Sequence, residues 1–212
     1  MAADLLDLNP PVGKREQTKV ANRAAILEAA RQVFGELGYE VATVRDIIRR
    51  TELSVGAFYN YYRSKEEVYE ALADDGARRF RPILRKQYEE AGDFESYIRG
   101  AIRAYLEFLL FEEETWQQSS QASGRNHPHL RVETPEMLAV FTEVKAAIAG
   151  VIERGLAPRV DADYLAASCI AVAREIGERM LERRPINVDE AADFAVALIL
   201  GGLPALPRST TP

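Results

Sequence analysis

Cysteine, histidine and tryptophan are scarce in this chain: its 212 residues hold one Cys, two His and one Trp. A lone thiol, Cys169, builds no disulfide framework, and with Ala166, Ala167, Ile170 and Ala171 around it the residue reads as a small buried hydrophobe, not a redox sensor. His127 and His129 share one loop around Pro128 with no third Cys or His close in sequence, so no metal site is expected there, and nothing in the pattern asks for a cofactor. No apolar run approaches the roughly 20 residues that span a bilayer. Gly-rich phosphate loops and nucleophile motifs are missing too. The first 12 residues carry Asp4 and Asp7 and neither Lys nor Arg, unlike a secretory signal. These absences point away from a disulfide-stapled, metal-built or membrane-spanning protein and set the expectation of a cytoplasmic one without membrane partners.

What is present is helix after helix, with no convincing strand signal. An apolar content of 47% can fill a sizeable core. Residues 20–37 form an amphipathic helix whose core face is Ala24, Ile26, Leu27, Ala30, Val33, Phe34 and Leu37, ended by Gly38. Thr43 can cap a helix with Asp46 three residues on, a relative of the capping box, and Val44, Ile47 and Ile48 give it a buried stripe. Thr51-Glu52-Leu53-Ser54 breaks the chain, Ser54 caps a short helix over 55–62, and Ser64-Lys65-Glu66-Glu67 opens another. That helix runs to about Gly76 or beyond, with Pro82 expected to kink or restart it. Further helices are predicted at 94–111, 114–122, 135–154, 161–183 and 189–201, with caps at Thr134, Asp161 and Asn187. The expected fold is all-α with about nine helices. Residues 1–13 and 204–212 are expected to be disordered, 14–65 to form a small N-terminal domain and 66–203 a larger helical body.

The pair of short helices over 43–62 has the spacing of a helix-turn-helix. On the second helix, Phe58 and Tyr62 sit four apart and anchor it to a small core. The other face carries Val55, Gly56, Ala57, Tyr59, Asn60 and Tyr61. Small residues at a helix start let the backbone approach base edges, while Val55 and the Ala57 methyl suit thymine methyls. Tyr59, Asn60 and Tyr61 offer hydroxyl and amide groups to phosphates or bases. Lys65 places a charge at a helix N-terminus that already attracts anions, and Arg45 is long enough to reach a guanine edge or a phosphate.

A net charge of −6 looks wrong for a nucleic-acid binder until the chain is divided. Residues 13–65 hold ten Lys and Arg against six acids, or +4, which leaves −10 for the remainder. Such asymmetry presents a basic face to phosphate and keeps the acidic body away from it.

Ala24-Ala25-Ile26-Leu27-Glu28-Ala29-Ala30, Phe34, Gly38-Tyr39, Ala42-Thr43-Val44-Arg45-Asp46-Ile47 and the run from Leu53 to Glu67 together resemble the TetR family of bacterial repressors over about residues 19–72. The resemblance implies a three-helix helix-turn-helix domain whose recognition helix lies near 55–61. It also implies a C-terminal ligand-binding and dimerisation bundle. Thr43, Tyr59, Tyr61 and Lys65 would then contact phosphates, with Arg45, Val55 and Ala57 nearest to bases and Ser54, Gly56 and Asn60 completing the surface. Family members usually carry Gly where this chain has Glu52; if that position takes positive φ, a non-Gly residue costs about 1 kcal/mol, so the turn is expected to be wound differently.

Two C-terminal helices look like an interface. Leu165, Cys169, Val172, Ile176 and Met180 recur at helical spacing, and the last helix brings Phe194 and Leu198. By the resemblance they would form a four-helix dimer interface, setting two recognition helices about 34–36 Å apart on a palindromic operator of double-stranded DNA. Within the body, Tyr97, Tyr105, Phe108, Phe111, Trp116 and Phe141 spread over several helices and suit an apolar pocket for a small-molecule effector, with Arg125, Asn126 or His127 fixing its polar end. The expectation is a homodimeric repressor that a hydrophobic or amphipathic effector releases from its operator; an activator or a corepressor-dependent regulator of the same fold is the alternative. An enzyme would have to work through His127 or His129 with an acid such as Glu133, and no nucleophile accompanies them. A module whose second helix binds protein instead of DNA is a further reading.

Overall fold

The computed structural model describes residues 13–120 and 133–206. Eight α-helices and one 3-10 turn account for its regular structure, and no strand occurs among the described residues. They are α1 (Lys14–Leu37), α2 (Val44–Arg49), α3 (Val55–Tyr59), α4 (Lys65–Glu90), α5 (Phe94–Ser120), α6 (Pro135–Glu153), α7 (Ala162–Glu182) and α8 (Val188–Gly202), followed by the 3-10 turn Leu203–Ala205.

The expected caps are in place. Thr134 accepts from the Met137 N–H, Asp161 from those of Asp163 and Tyr164, and Asn187 from that of Glu190. Gly38 ends α1 at φ 79°, a left-handed conformation that a side chain resists.

Four boundaries differ from the sequence expectation. α1 begins at Lys14 rather than residue 20, since Lys14 to Lys19 contains no breaker and Glu16 favours the first turn. α3 stops at Tyr59 rather than Tyr62, and Asn60 caps it. α4 runs through Pro82 without restarting. A mid-helix proline costs about 3 kcal/mol. Ion pairs to neighbouring helices flank it: before it Arg79 binds Glu112 of α5 and Arg81 binds Glu136 and Glu143 of α6, and after it Arg85 binds Glu143. The helices predicted at 94–111 and 114–122 are one, α5, because Glu112-Glu113-Glu114 is charged but helix-favouring; Glu112 meets Arg79, and Glu113 accepts from Gln117 one turn on.

The described residues fall into two compact units, the first ending at Tyr69 and the second taking up α4 from Glu70. In the first, Ile26, Ala30, Val33 and Phe34 of α1 pack with Ile47, Ile48, Phe58, Tyr62 and Val68. Ala24 and Leu37, expected on the core face, are exposed. Phe34, Tyr39 and Tyr69 close the core with ring centroids 5.3 to 6.3 Å apart. In the second, Tyr97, Ile102 and Leu106 of α5, Ile148 and Val151 of α6, Leu165, Ala166 and Met180 of α7 and Ala195 and Val196 of α8 form one cluster. α7 approaches α5 closely at Gly177, where a Cβ would lie 2.6 Å from Leu109 Cδ2.

Candidate nucleic-acid interface

Local hydrogen bonds fix the two short helices of the first unit. Asp46 N–H donates to Thr43 Oγ1 (3.3 Å), and Thr43 donates to Asp46 Oδ2 from its backbone N–H (3.0 Å) and its hydroxyl (2.6 Å), a complete capping box at α2. These bonds hold the Asp46 carboxyl below the usual carboxylate range, with the Thr43 hydroxyl bond the largest cause. The turn after α2 is closed by Thr51, whose Oγ1 donates to Ile48 O (2.9 Å) and accepts from Leu53 N–H (3.3 Å). Glu52 is exposed in that turn. Ser54 caps α3 by accepting from the Ala57 N–H at 3.2 Å.

α3 is held from beneath by Phe58, which is fully buried and stacks edge-on to Tyr59 (5.5 Å) and tilted to Tyr62 (6.4 Å). Its outer face is open. Val55 is 57% exposed and Tyr59 51%, Gly56 and Asn60 are exposed, and Ala57 is half-buried. A Cβ added at Gly56 meets nothing within 4 Å. A helical glycine costs about 1 kcal/mol against alanine, and neither crowding nor backbone conformation within this chain calls for one here. Arg45 of α2 is exposed and has no hydrogen-bond or ion-pair partner among the described residues.

Two of the expected contact residues are engaged inside the unit. Tyr61 is half-buried, and its hydroxyl accepts from Asn22 Nδ2 of α1 at 3.1 Å. Lys65, expected from sequence at a phosphate, is held inside the unit. Its Nζ donates to the carbonyls of Tyr39 (2.8 Å), Glu40 (3.3 Å) and Ala42 (3.2 Å) and lies 4.5 Å from the Tyr39 ring centroid. An ammonium has three donors, and all three face backbone oxygen. Tyr39 donates to Glu66 Oε1 (3.2 Å), and burial first, then the Glu66 charge, pushes its hydroxyl up to about 12.

The positive charge of this unit is also less available than its tally. Arg50 is bound to both carboxylate oxygens of Glu36, Arg49 lies 3.7 Å from Asp46 and Arg31 3.5 Å from Glu28. Arg23 lies 5.9 Å from the Tyr62 ring. Asn22 and Tyr39 were invisible as site residues in the sequence, because their partners stand 39 and 27 positions away.

In the second unit, Phe80 of α4 meets Tyr105 (5.6 Å) and Phe108 (5.4 Å) of α5, two of the expected ligand-lining residues. Burial first, and then the nearby Glu178, pushes the Tyr105 hydroxyl up to about 12. Trp116 is buried and Phe141 half-buried against the core. Glu113, which the sequence reading passed over, is a buried carboxylate one turn before Trp116, 4% exposed. Arg125, Asn126, His127 and His129 lie outside the described residues.

Of the residues expected at a dimer interface, Leu165, Cys169 and Met180 are buried in their own unit, and Val172 and Ile176 are partly buried against the same core. That stripe is the inward side of α7 within its own unit. Burial pushes the Cys169 thiol up to about 12. Phe194 and Leu198 of α8 are 59% and 54% exposed, and on α7 it is Tyr164 (75%), Ala167 and Ala171 that face outward.

Residues 26–72 match the family model described as bacterial regulatory proteins, tetR family. The chain is 23% identical over 187 residues to the HTH-type transcriptional activator FasR of Mycolicibacterium smegmatis, covering 87% of this chain and 84% of that protein. It is 35% identical to the HTH-type transcriptional regulator YfiR of Bacillus subtilis over 69 residues, about a third of each chain (32% and 33%). Among solved structures, the fatty acid degradation regulator FadR of Bacillus halodurans superposes with a TM-score of 0.65 at 17% identity, over 92% of this chain and 98% of that one. A transcriptional regulator of the TetR/AcrR family from Thermobifida fusca gives 0.61 at 19%, over 86% and 98%. No helix among the described residues is long and apolar enough to cross a membrane.

Proposed function

We propose that this chain is a TetR-family DNA-binding transcriptional regulator that works as a homodimer, reads a palindromic operator and leaves it when an apolar or amphipathic small molecule enters the helical body. The observation that carries this reading is the outer face of α3. Val55, Gly56 and Tyr59 are presented to solvent on a helix locked by a cap and a buried phenylalanine, and Arg45 of the preceding helix is exposed and unpartnered among the described residues. A rigid element with small residues at its start and a polar aromatic one turn on fits a major groove. Thr43, Ser54, Ala57 and Asn60 complete the contact surface. Tyr61 contributes its hydroxyl proton while Asn22 holds its oxygen.

The second copy comes from the outward faces of α7 and α8. Tyr164, Ala167 and Ala171 on one helix and Phe194, Ala197 and Leu198 on the other leave an apolar patch on a chain with a net charge of −6. Self-pairing of this patch about a two-fold axis covers it and doubles the reading head. The ligand site rests on Phe80, Tyr105, Phe108, Trp116 and Phe141, which bring aromatic surface from three helices into one unit. A fatty-acid-like effector suits such a lining, and one protein of similar fold is the fatty acid degradation regulator FadR of Bacillus halodurans. To release DNA the effector must favour the state that does not fit the operator, with a coupling of about 1–3 kcal/mol. The name of FasR, an activator, supports a second reading in which the same fold recruits transcription.

The test is a duplex selected from a random pool by the wild-type chain, titrated by fluorescence anisotropy. Tyr59→Ala, in a protein with unchanged melting temperature and mass, is expected to weaken binding by about 10- to 100-fold, corresponding to about 1–3 kcal/mol. Unchanged affinity would remove α3 from the interface. A reporter driven by that duplex separates repression from activation.

A further inference from the structure

One row of α1 changes character along its length. Ile26, Asn22, Lys19 and Arg15 are spaced by four, three and four residues and therefore stack on one side of the helix. Ile26 is fully buried in the core of the first unit. Asn22, one turn earlier, is half-buried and donates to the hydroxyl of Tyr61, just beyond α3. Lys19 and Arg15 continue the row past the point where the core ends, and both are exposed. The side of the helix that meets the core and then Tyr61 is thus the side that carries the cations. From Asn22 to Arg15 it reaches about 10 Å along the helix axis.

Neither cation is used inside the chain. Arg15 has no hydrogen-bond or ion-pair partner among the described residues. Lys19 has only Glu16 at 3.8 Å, with both side chains more than half exposed, a pair of little energetic weight. Arg23 on the flank lies near the Tyr62 ring and adds charge to the same edge. These turns of α1 also precede the segment that matches the family model, which begins at residue 26.

We propose that the basic N-terminal half of α1 is a second DNA-contacting element, in which Arg15 and Lys19 bind backbone phosphates flanking the bases read by α3. The inference rests on the DNA-binding reading above. Its partners are phosphates, so the element adds affinity and fixes the docking of α3 without reading sequence. Asn22 is the mechanical link, since its bond to Tyr61 ties the register of the basic row to the end of the recognition segment.

The experiment measures operator affinity against salt with the full-length chain and its selected duplex. Removing one phosphate-binding cation is expected to reduce the slope of log K against log salt by about 0.9, so Arg15→Gln with Lys19→Gln should reduce it by roughly two, and Arg15→Lys with Lys19→Gln by about one. Lys86→Gln, which removes an exposed cation of the second unit, serves as the control. Far-UV circular dichroism establishes that α1 is intact in each variant. A slope in the double glutamine variant equal to that of the wild type or of Lys86→Gln overturns the proposal while leaving the regulator reading in place. A wild-type chain that enriches no duplex from the pool overturns both.

Discussion

Tyr59 and Lys65 stand close in sequence and both offer a polar tip, yet their surroundings assign them different work. The Tyr59 ring rests against Phe58 and its hydroxyl has no partner among the described residues, so it is available to DNA. The Lys65 ammonium is enclosed by three carbonyls of the loop between α1 and α2, and its removal leaves those oxygens without their cation. Lys65→Met is therefore expected to lower the stability of the chain by about 2 kcal/mol in denaturant unfolding, the usual weight of a hydrogen-bonded charge. Tyr59→Phe should leave stability unchanged. A Lys65→Met protein that fails to bind DNA at full stability would return the residue to the phosphate surface. Residue type alone allows both side chains to bind DNA. It does not reveal that Lys65 faces Tyr39, Glu40 and Ala42, because that cluster closes across more than twenty positions of chain.

Among the elements, the caps were fully legible and the interruptions were not. Thr43, Ser54, Thr134, Asp161 and Asn187 act on N–H groups two or three residues ahead, so their effect is written in the neighbouring sequence. The capping box of α2 gives a pH prediction. The folded state holds Asp46 ionised to a lower pH than the unfolded chain does, so the unfolded chain binds the extra proton first. The stabilisation is fully present above the ordinary aspartate value of about 3.9 and is lost as pH falls through the lower folded value. Asp46→Asn should accordingly be less stable than wild type at pH 6, and the difference should shrink below about pH 4; a difference that stays constant through the acid range would contradict the ionised cap. Pro82 in α4 and the acidic triplet in α5 defeated local reading for the opposite reason. The groups that keep those helices continuous, Glu112 with Arg79 and Glu136 and Glu143 with Arg81, sit on other helices.

For the molecule as a whole, the proposed pairing of two copies is tested on α8. Phe194→Asp with Leu198→Asp is expected to halve the mass seen by light scattering at micromolar concentration and to weaken operator binding at least tenfold, with the helical signal retained, because both side chains are exposed in the single chain. Leu165→Asp should instead unfold the second unit, since it buries an unpaired charge. A dimer that survives Phe194→Asp with Leu198→Asp would place the interface elsewhere. By itself the sequence determined the all-helical class, the helix caps, the helix-turn-helix with Phe58 as its anchor, and the division of charge, because each depends on residues within a few turns of one another. Only the tertiary structure decided that Lys65 turns inward, that Asn22 of α1 meets Tyr61, and that α7 shows solvent Tyr164, Ala167 and Ala171 instead of Leu165, Cys169 and Met180. Periodicity reveals that a helix has an apolar stripe; α7 has apolar or small residues on two sides, and which side is covered depends on where α5, α6 and α8 come to rest.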